Sequence, residues 1–302
     1  MERREMLRGT ALTLLGGVLW GLAGVFGKYS FEHKGVTAQW LVSVRLVIAG
    51  LILLGTVYIK QKKDTFRVWK NGRDVVRMIL YGVIGIALCQ MTYYMAVDES
   101  NAGIATVLQY TAPVMIMVYL AVRNRKMPKG AEMAALVLAF GGTVLLATHG
   151  DLTHLTVSKL TLVLGLTSAV ATVFYNLLPG NLMNEYGTFA IVGWAMLVSG
   201  VLLWSVIRPW EMLADITWDW QTVVCVGTVI IFGTVLSFAT YMEGVRLIGA
   251  SRASLFASVE PLTATVASVV FLKVAFSGMD LLGFAGIIAA VVILSLPKKR
   301  GA

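Results

Sequence analysis

Residues 92–113 read TYYMAVDESNAGIATVLQYTAP, and residues 240–261 read TYMEGVRLIGASRASLFASVEP. A shift of 148 positions lays one on the other, matching Thr92-Tyr93, Val97, Ala102, Ala105 and Pro113 with Thr240-Tyr241, Val245, Ala250, Ala253 and Pro261. The same shift carries Thr13-Leu14, Gly17, Ala23 and Val25-Phe26 onto Thr161-Leu162, Gly165, Ala171 and Val173-Phe174. One offset serving two separated stretches points to an internal duplication rather than chance apolar similarity. Whether the copies run parallel or antiparallel depends on how many membrane spans each holds.

The chain is 58% hydrophobic and only 14% charged, with mean hydropathy +0.79, outside the range of ordinary soluble domains. Apolar runs of about 18 residues or more, the length that crosses a bilayer core, recur from end to end. They predict ten helices near 9–28, 38–60, 76–96, 102–122, 131–149, 159–178, 187–207, 219–243, 252–272 and 279–296. The fold class is therefore all-α and polytopic, with five spans in each half, 1–150 and 151–302. Five is odd, so the second half inserts upside down relative to the first. Inverted bundles around a shared midplane site are a common plan for secondary transporters.

The net charge of +9 follows topology rather than nucleic-acid binding. With the first residues placed inside, 19 of the 25 Lys and Arg fall on inner segments, among them Arg3, Arg4, Arg8, Arg123, Arg125, Arg246 and Arg252. Five are outer (Lys28, Lys34, Lys159, Arg208, Lys273) and Arg45 lies within a span. This is the positive-inside pattern, which predicts both termini in the cytoplasm. The first helix is read as an uncleaved anchor rather than a signal peptide, because it is about twenty residues long and a second span follows closely. Cys89 and Cys225 fall in spans that the repeat does not pair, and are expected to be buried thiols, not a disulfide or metal pair. His149, Asp151 and His154 in the loop joining the halves are read as polar loop residues, so no metal site is expected.

A carboxylate within a span is costly and usually faces a cavity or a partner. Glu260 is such a residue, and it precedes Pro261, whose ring removes a backbone hydrogen bond and is expected to expose the carbonyl near Ala257 to solvent or substrate. Arg45 is its candidate ion-pair partner. At 1.5 Å per residue Arg45 sits about 10 Å below the outer boundary and Glu260 about 18 Å below it, so pairing and snorkelling to the headgroups both remain open for the arginine. In the first half Ala112-Pro113 stands where Glu260-Pro261 stands in the second, with Gln109 and Tyr110 one turn away. Gln90, Tyr93 and Tyr94 on helix 3, Ser237 and Tyr241 on helix 8, Trp20 on helix 1, and Tyr175-Asn176 on helix 6 complete the candidate lining. Aromatic walls with a few amides and one carboxylate suit an organic solute better than a bare ion. Trp210, Trp218 and Trp220 belong to an interfacial belt. Gly17, Gly21, Gly24 and Gly27 mark a narrow face of helix 1, for static packing or for sliding. The sequence carries no nucleotide-binding loop and no metalloprotease or nucleophile motif, so no cofactor is expected and any active transport draws on a gradient.

These residues resemble the drug/metabolite transporter superfamily, specifically its ten-helix EamA branch. Leu19-Trp20-Gly21 is similar to that family's opening motif, Arg45 to its helix-2 arginine, Thr111-Ala112-Pro113 to its helix-4 proline region, and Glu260-Pro261 to its helix-9 pair. The chain departs from the pattern after helices 4 and 9, where Arg123-Asn124 and Leu272-Lys273 replace a frequent Gly-Glu. The resemblance implies an inner-membrane carrier of amino acids or related metabolites, often an exporter, working by alternating access; monomer and homodimer both remain open. It leaves the substrate open. The expected function is thus secondary transport of a small organic solute through a cavity lined by helices 1, 3, 4, 6, 8 and 9, with Glu260 as anchor and the proton as candidate coupling ion. A passive facilitator is the alternative. A membrane enzyme would need a second catalytic group near Glu260 that the spans do not supply.

Overall fold

The computed structural model describes residues 3–100, 102–151, 158–273 and 277–295, and His154 lies outside them. Ten helices are long and apolar enough to cross a membrane. Helices 1 to 5 are Arg4–His33, Ala38–Lys60, Gly72–Val97, Ile104–Asn124 and Gly130–Thr148. Helices 6 to 10 are Lys159–Tyr186, Thr188–Ile207, Trp220–Ile248, Ala250–Phe271 and Gly278–Ser295. Among the described residues there is no strand.

Short polar residues start these helices. Thr37 accepts from the Trp40 amide (3.2 Å), Ser158 from the Thr161 amide (3.0 Å) and Asp219 from the Thr222 amide (2.9 Å), each satisfying a donor that the first turn leaves free. Left-handed residues end them: Arg125 and Lys273, one repeat apart, close helices 4 and 9 with φ of 50° and 57°.

Helix pairing follows the duplication. Helix 1 packs on helices 8 and 9, and its counterpart helix 6 packs on helices 3 and 4. Helix 2 packs on its own counterpart, helix 7, and helix 5 on helix 10. Each such contact joins one repeat to the other, so the copies interlock rather than stand side by side.

Helices 3 and 8 each contain a π-helical segment, Tyr81–Leu88 and Ile231–Leu236. Gly85 and Gly233, one offset apart, lie inside them. Such widened turns occur often at functional sites, and apolar periodicity gives no sign of them here. Helices 4 and 9 are broken in the middle. Ala102–Gln109 gives way at Tyr110-Thr111 to Ala112–Asn124, and Ala250–Phe256 gives way at Ala257-Ser258 to Val259–Leu272. Pro113 and Pro261 sit in the first turn of each second segment, where a missing amide hydrogen costs nothing.

Candidate functional site

The two helix breaks meet at the centre of the bundle. The Tyr110 hydroxyl, from the first repeat, lies 3.0 Å from the Ala257 carbonyl and 3.1 Å from Glu260 Oε2, both from the second. It has one proton to give between them. The Glu260 amide also reaches the Ala257 carbonyl at 2.8 Å. The carbonyl freed by Pro261 is therefore taken up by protein groups, not left open to solvent or substrate as the sequence led us to expect.

Beside this junction is a cavity of about 690 Å³. Its wall includes Trp20, Gln90, Tyr93, Tyr94, Gln109, Tyr110, Tyr175, Asn176, Tyr241 and Glu260, with Pro113 and Pro261. Ser237 is the exception. It is fully buried outside the cavity wall, and its backbone carbonyl faces Gly16 of helix 1. The lining comes from helices 1, 3, 4, 6, 8 and 9 as expected, together with Arg45 of helix 2 and His149 at the end of helix 5.

Hydrogen bonds fix the polar lining. Tyr241 donates to Asn176 Oδ1 at 2.7 Å, and Asn176 donates onward to the Thr172 carbonyl at 2.8 Å. Gln109 donates to Ser168 Oγ at 2.8 Å, and the Tyr93 hydroxyl meets Thr106 Oγ1 at 3.0 Å. Trp20 packs edge-on against Phe238, with centroids 5.1 Å apart, and 4.9 Å from Tyr241. Tyr175 stacks between Tyr81 and Tyr241 at about 6 Å from each.

Arg45 departs from both expectations. It is 4% exposed, so it does not snorkel, and it makes no ion pair with Glu260. Instead it donates to Gln90 Oε1 and, at 3.4 Å, to Thr234 Oγ1, with its guanidinium 5.5 Å from the Tyr94 ring centroid. Thr234 belongs to the π segment of helix 8. The wider turn there brings forward an acceptor whose position sequence spacing does not reveal.

Cys89, Thr106 and Thr172 also line the cavity, though no apolar-run or carboxylate signal marks them. Cys89 and Cys225 are free and buried. His149, read from sequence as a loop residue, hydrogen-bonds through Nδ1 to the fully buried Asp280 at 2.9 Å, and no group of metal ligands occurs among the described residues.

The cavity opens at one end of the bundle, where Lys28, Glu32 and His149 form its rim. At the opposite end, beyond Tyr241 and Asn176, charged clamps join the helices. Glu243 accepts from Thr188 Oγ1 (2.5 Å) and from Arg246 Nε and Nη2 (2.9 and 2.6 Å), with Arg8 3.9 Å away. Arg252 lies 3.7 Å from Glu132.

Ten apolar helices in two interlocked inverted repeats, enclosing between them an aromatic-walled cavity with a few amides and one carboxylate, define a membrane transporter. The model of the EamA-like transporter family matches the chain twice, over residues 7–148 and 159–296, and the chain belongs to that family. It is 32% identical over 299 residues to the "Uncharacterized inner membrane transporter YicL" of Salmonella typhimurium, covering 98% of this chain and 97% of that one. It is 24% identical over 292 residues to the "Uncharacterized transporter YwfM" of Bacillus subtilis, covering 95% and 94%. A solved crystal structure of a protein superposes with a TM-score of 0.77 at 16% identity, covering 94% of this chain and 95% of that one, a likeness of fold. The protein is a multi-pass membrane protein.

Proposed function

We propose that this chain is a secondary carrier of small organic solutes bearing an ammonium group, amino acids or related metabolites, moved by alternating access. The observation that carries the reading is Glu260: a carboxylate within a span, at the wall of a cavity of about 690 Å³, held by a tyrosine hydroxyl and by none of the described cations. A substrate ammonium supplies the missing charge, and Gln90, Gln109 and the aromatic wall orient the rest. The charge distribution supports both termini in the cytoplasm, which turns the cavity's open end outward. Export as the direction, and the proton as coupling ion, follow the family resemblance and the absence of a nucleotide loop in the sequence.

The clamped end supports a carrier over a facilitator with a continuous pore. The reading is tested in proteoliposomes loaded with an amino-acid panel. Transport should show trans-stimulation, which an open pore lacks, and Glu260→Gln should lower the rate about tenfold or more, the size of one charge-assisted contact. Unchanged transport and unchanged pH dependence in Glu260→Gln would refute the anchor.

A further inference from the structure

Arg45 borders the same cavity as Glu260 and is not used by the reading above. It is 4% exposed and has five donors; two go to the neutral acceptors Gln90 and Thr234, while Nε–H is enclosed without a partner. None of the described carboxylates pairs with it. A buried cation satisfied by neutral groups alone is costly, and so is a span carboxylate without a counter-charge. The cavity thus holds one uncompensated charge of each sign, and the two do not neutralise each other.

We propose that Arg45 is the carboxylate-binding pole of the cavity, and that the substrate is a zwitterion spanning it, with its ammonium at Glu260 and its carboxylate at Arg45. This deepens the carrier reading and rests on it. A solute with only an ammonium leaves Arg45 without an anion, and one with only a carboxylate leaves Glu260 without a cation. A solute with both matches both. The carboxylate end points to the open mouth, because Arg45 is the shallower pole. The guanidinium offers a planar fork to a carboxylate, which a lysine does not. Tyr94 beneath it holds the plane in place.

The test uses the purified full chain and calorimetric titration of L-threonine, L-methionine and L-leucine, each beside its methyl ester and its N-acetyl derivative. The ester keeps the ammonium and masks the carboxylate, and the N-acetyl compound does the reverse. The native protein should bind the free amino acid about tenfold to a hundredfold more tightly than either derivative. Arg45→Gln should weaken the amino acid to the level of its ester and leave the ester unchanged, with Arg45→Lys between. Equal native affinity for amino acid and ester overturns the proposal. If Glu260→Gln then abolishes both, the carrier reading survives without it. A native protein that binds none of the compounds overturns both readings. Should Arg45→Gln fail to fold, the native amino-acid and ester comparison decides alone.

Discussion

Glu260 is positioned by a chain of small constraints. Pro261 removes the amide that would cover the Ala257 carbonyl, and that carbonyl then draws in Tyr110 from the other repeat. The same hydroxyl touches Glu260, so one side chain holds both the helix break and the carboxylate. Tyr110→Phe should therefore lower stability by about 1 kcal/mol, the worth of a hydrogen bond, and also weaken solute binding because Glu260 loses its orienting contact. Tyr186→Phe removes a hydroxyl bonded to Asp74 away from the cavity wall and serves as the control. Thermal unfolding and titration of both variants separate the effects, and equal loss of binding in the two rejects the orienting role. A proline after a carboxylate in an apolar run makes the helix break and the costly charge legible in sequence, but not what takes up the freed carbonyl. Tyr110's reach across the repeat interface is not legible, because it depends on how helices 4 and 9 cross.

Helix 1 shows how one element serves two ends. Gly17 and Gly21 pack against helix 9, where a methyl at Gly21, at the cavity's edge, would come 2.8 Å from the Ala264 nitrogen, whereas Gly24 and Gly27 line the cavity with room beside them. The glycine stripe was visible in sequence, but its division into a packed half and an open half was not. Gly21→Ala should cost about 1–3 kcal/mol by overpacking. At Gly24 there is nothing within 4 Å, and alanine there should gain up to about 1 kcal/mol of helix propensity. Unfolding midpoints of the pair check the contrast; a tolerated Gly21→Ala means the helices separate easily. The π segments of helices 3 and 8 escaped notice because an all-apolar run carries no phase to betray a widened turn. Between elements, Lys34 meets Asp219 at 2.5 Å and links the end of helix 1 to the start of helix 8. The Lys34 ammonium and the Thr222 amide hold the Asp219 carboxyl down to about 2, below its ordinary 3.8, and the carboxylate in turn raises Lys34. The depressed carboxyl contributes stability above about pH 4 that is lost as pH falls toward 2. Melting measured across that window should fall less steeply in Asp219→Asn than in the native chain, and equal slopes reject the linkage.

For the whole molecule, the duplication fixes what each end of the bundle is made of. Apolar run lengths and the 148-residue offset are enough to read ten helices and an inverted pair, because both are set by bilayer thickness and by chain order. They do not show which end is shut, since that depends on charges brought together from distant helices. The shut end is ionic. Glu243 gathers Thr188 and Arg246 with Arg8 nearby, and Arg252 lies against Glu132, so helices 1, 5, 7, 8 and 9 are tied there. One offset earlier, Met95 and Ile104 stand where Glu243 and Arg252 stand. The two ends therefore close with different chemistry, and loosening the ionic one should shift the equilibrium to the opposite opening. Gly24→Cys, at an exposed position on the cavity wall, reports that shift. With Cys89→Ala and Cys225→Ala removing the native thiols, a membrane-impermeant thiol reagent applied from the side of loop 34–37 reaches the introduced thiol through the open mouth. Adding Glu243→Gln and Arg252→Gln should slow that labelling about tenfold if the clamps together contribute about 1.4 kcal/mol to this state. Reagent applied from the clamped side should then label the introduced thiol faster, as an alternating cycle requires. Slower labelling from both sides means that the variant has collapsed rather than reversed, and unchanged rates mean that the clamps do not hold the end shut.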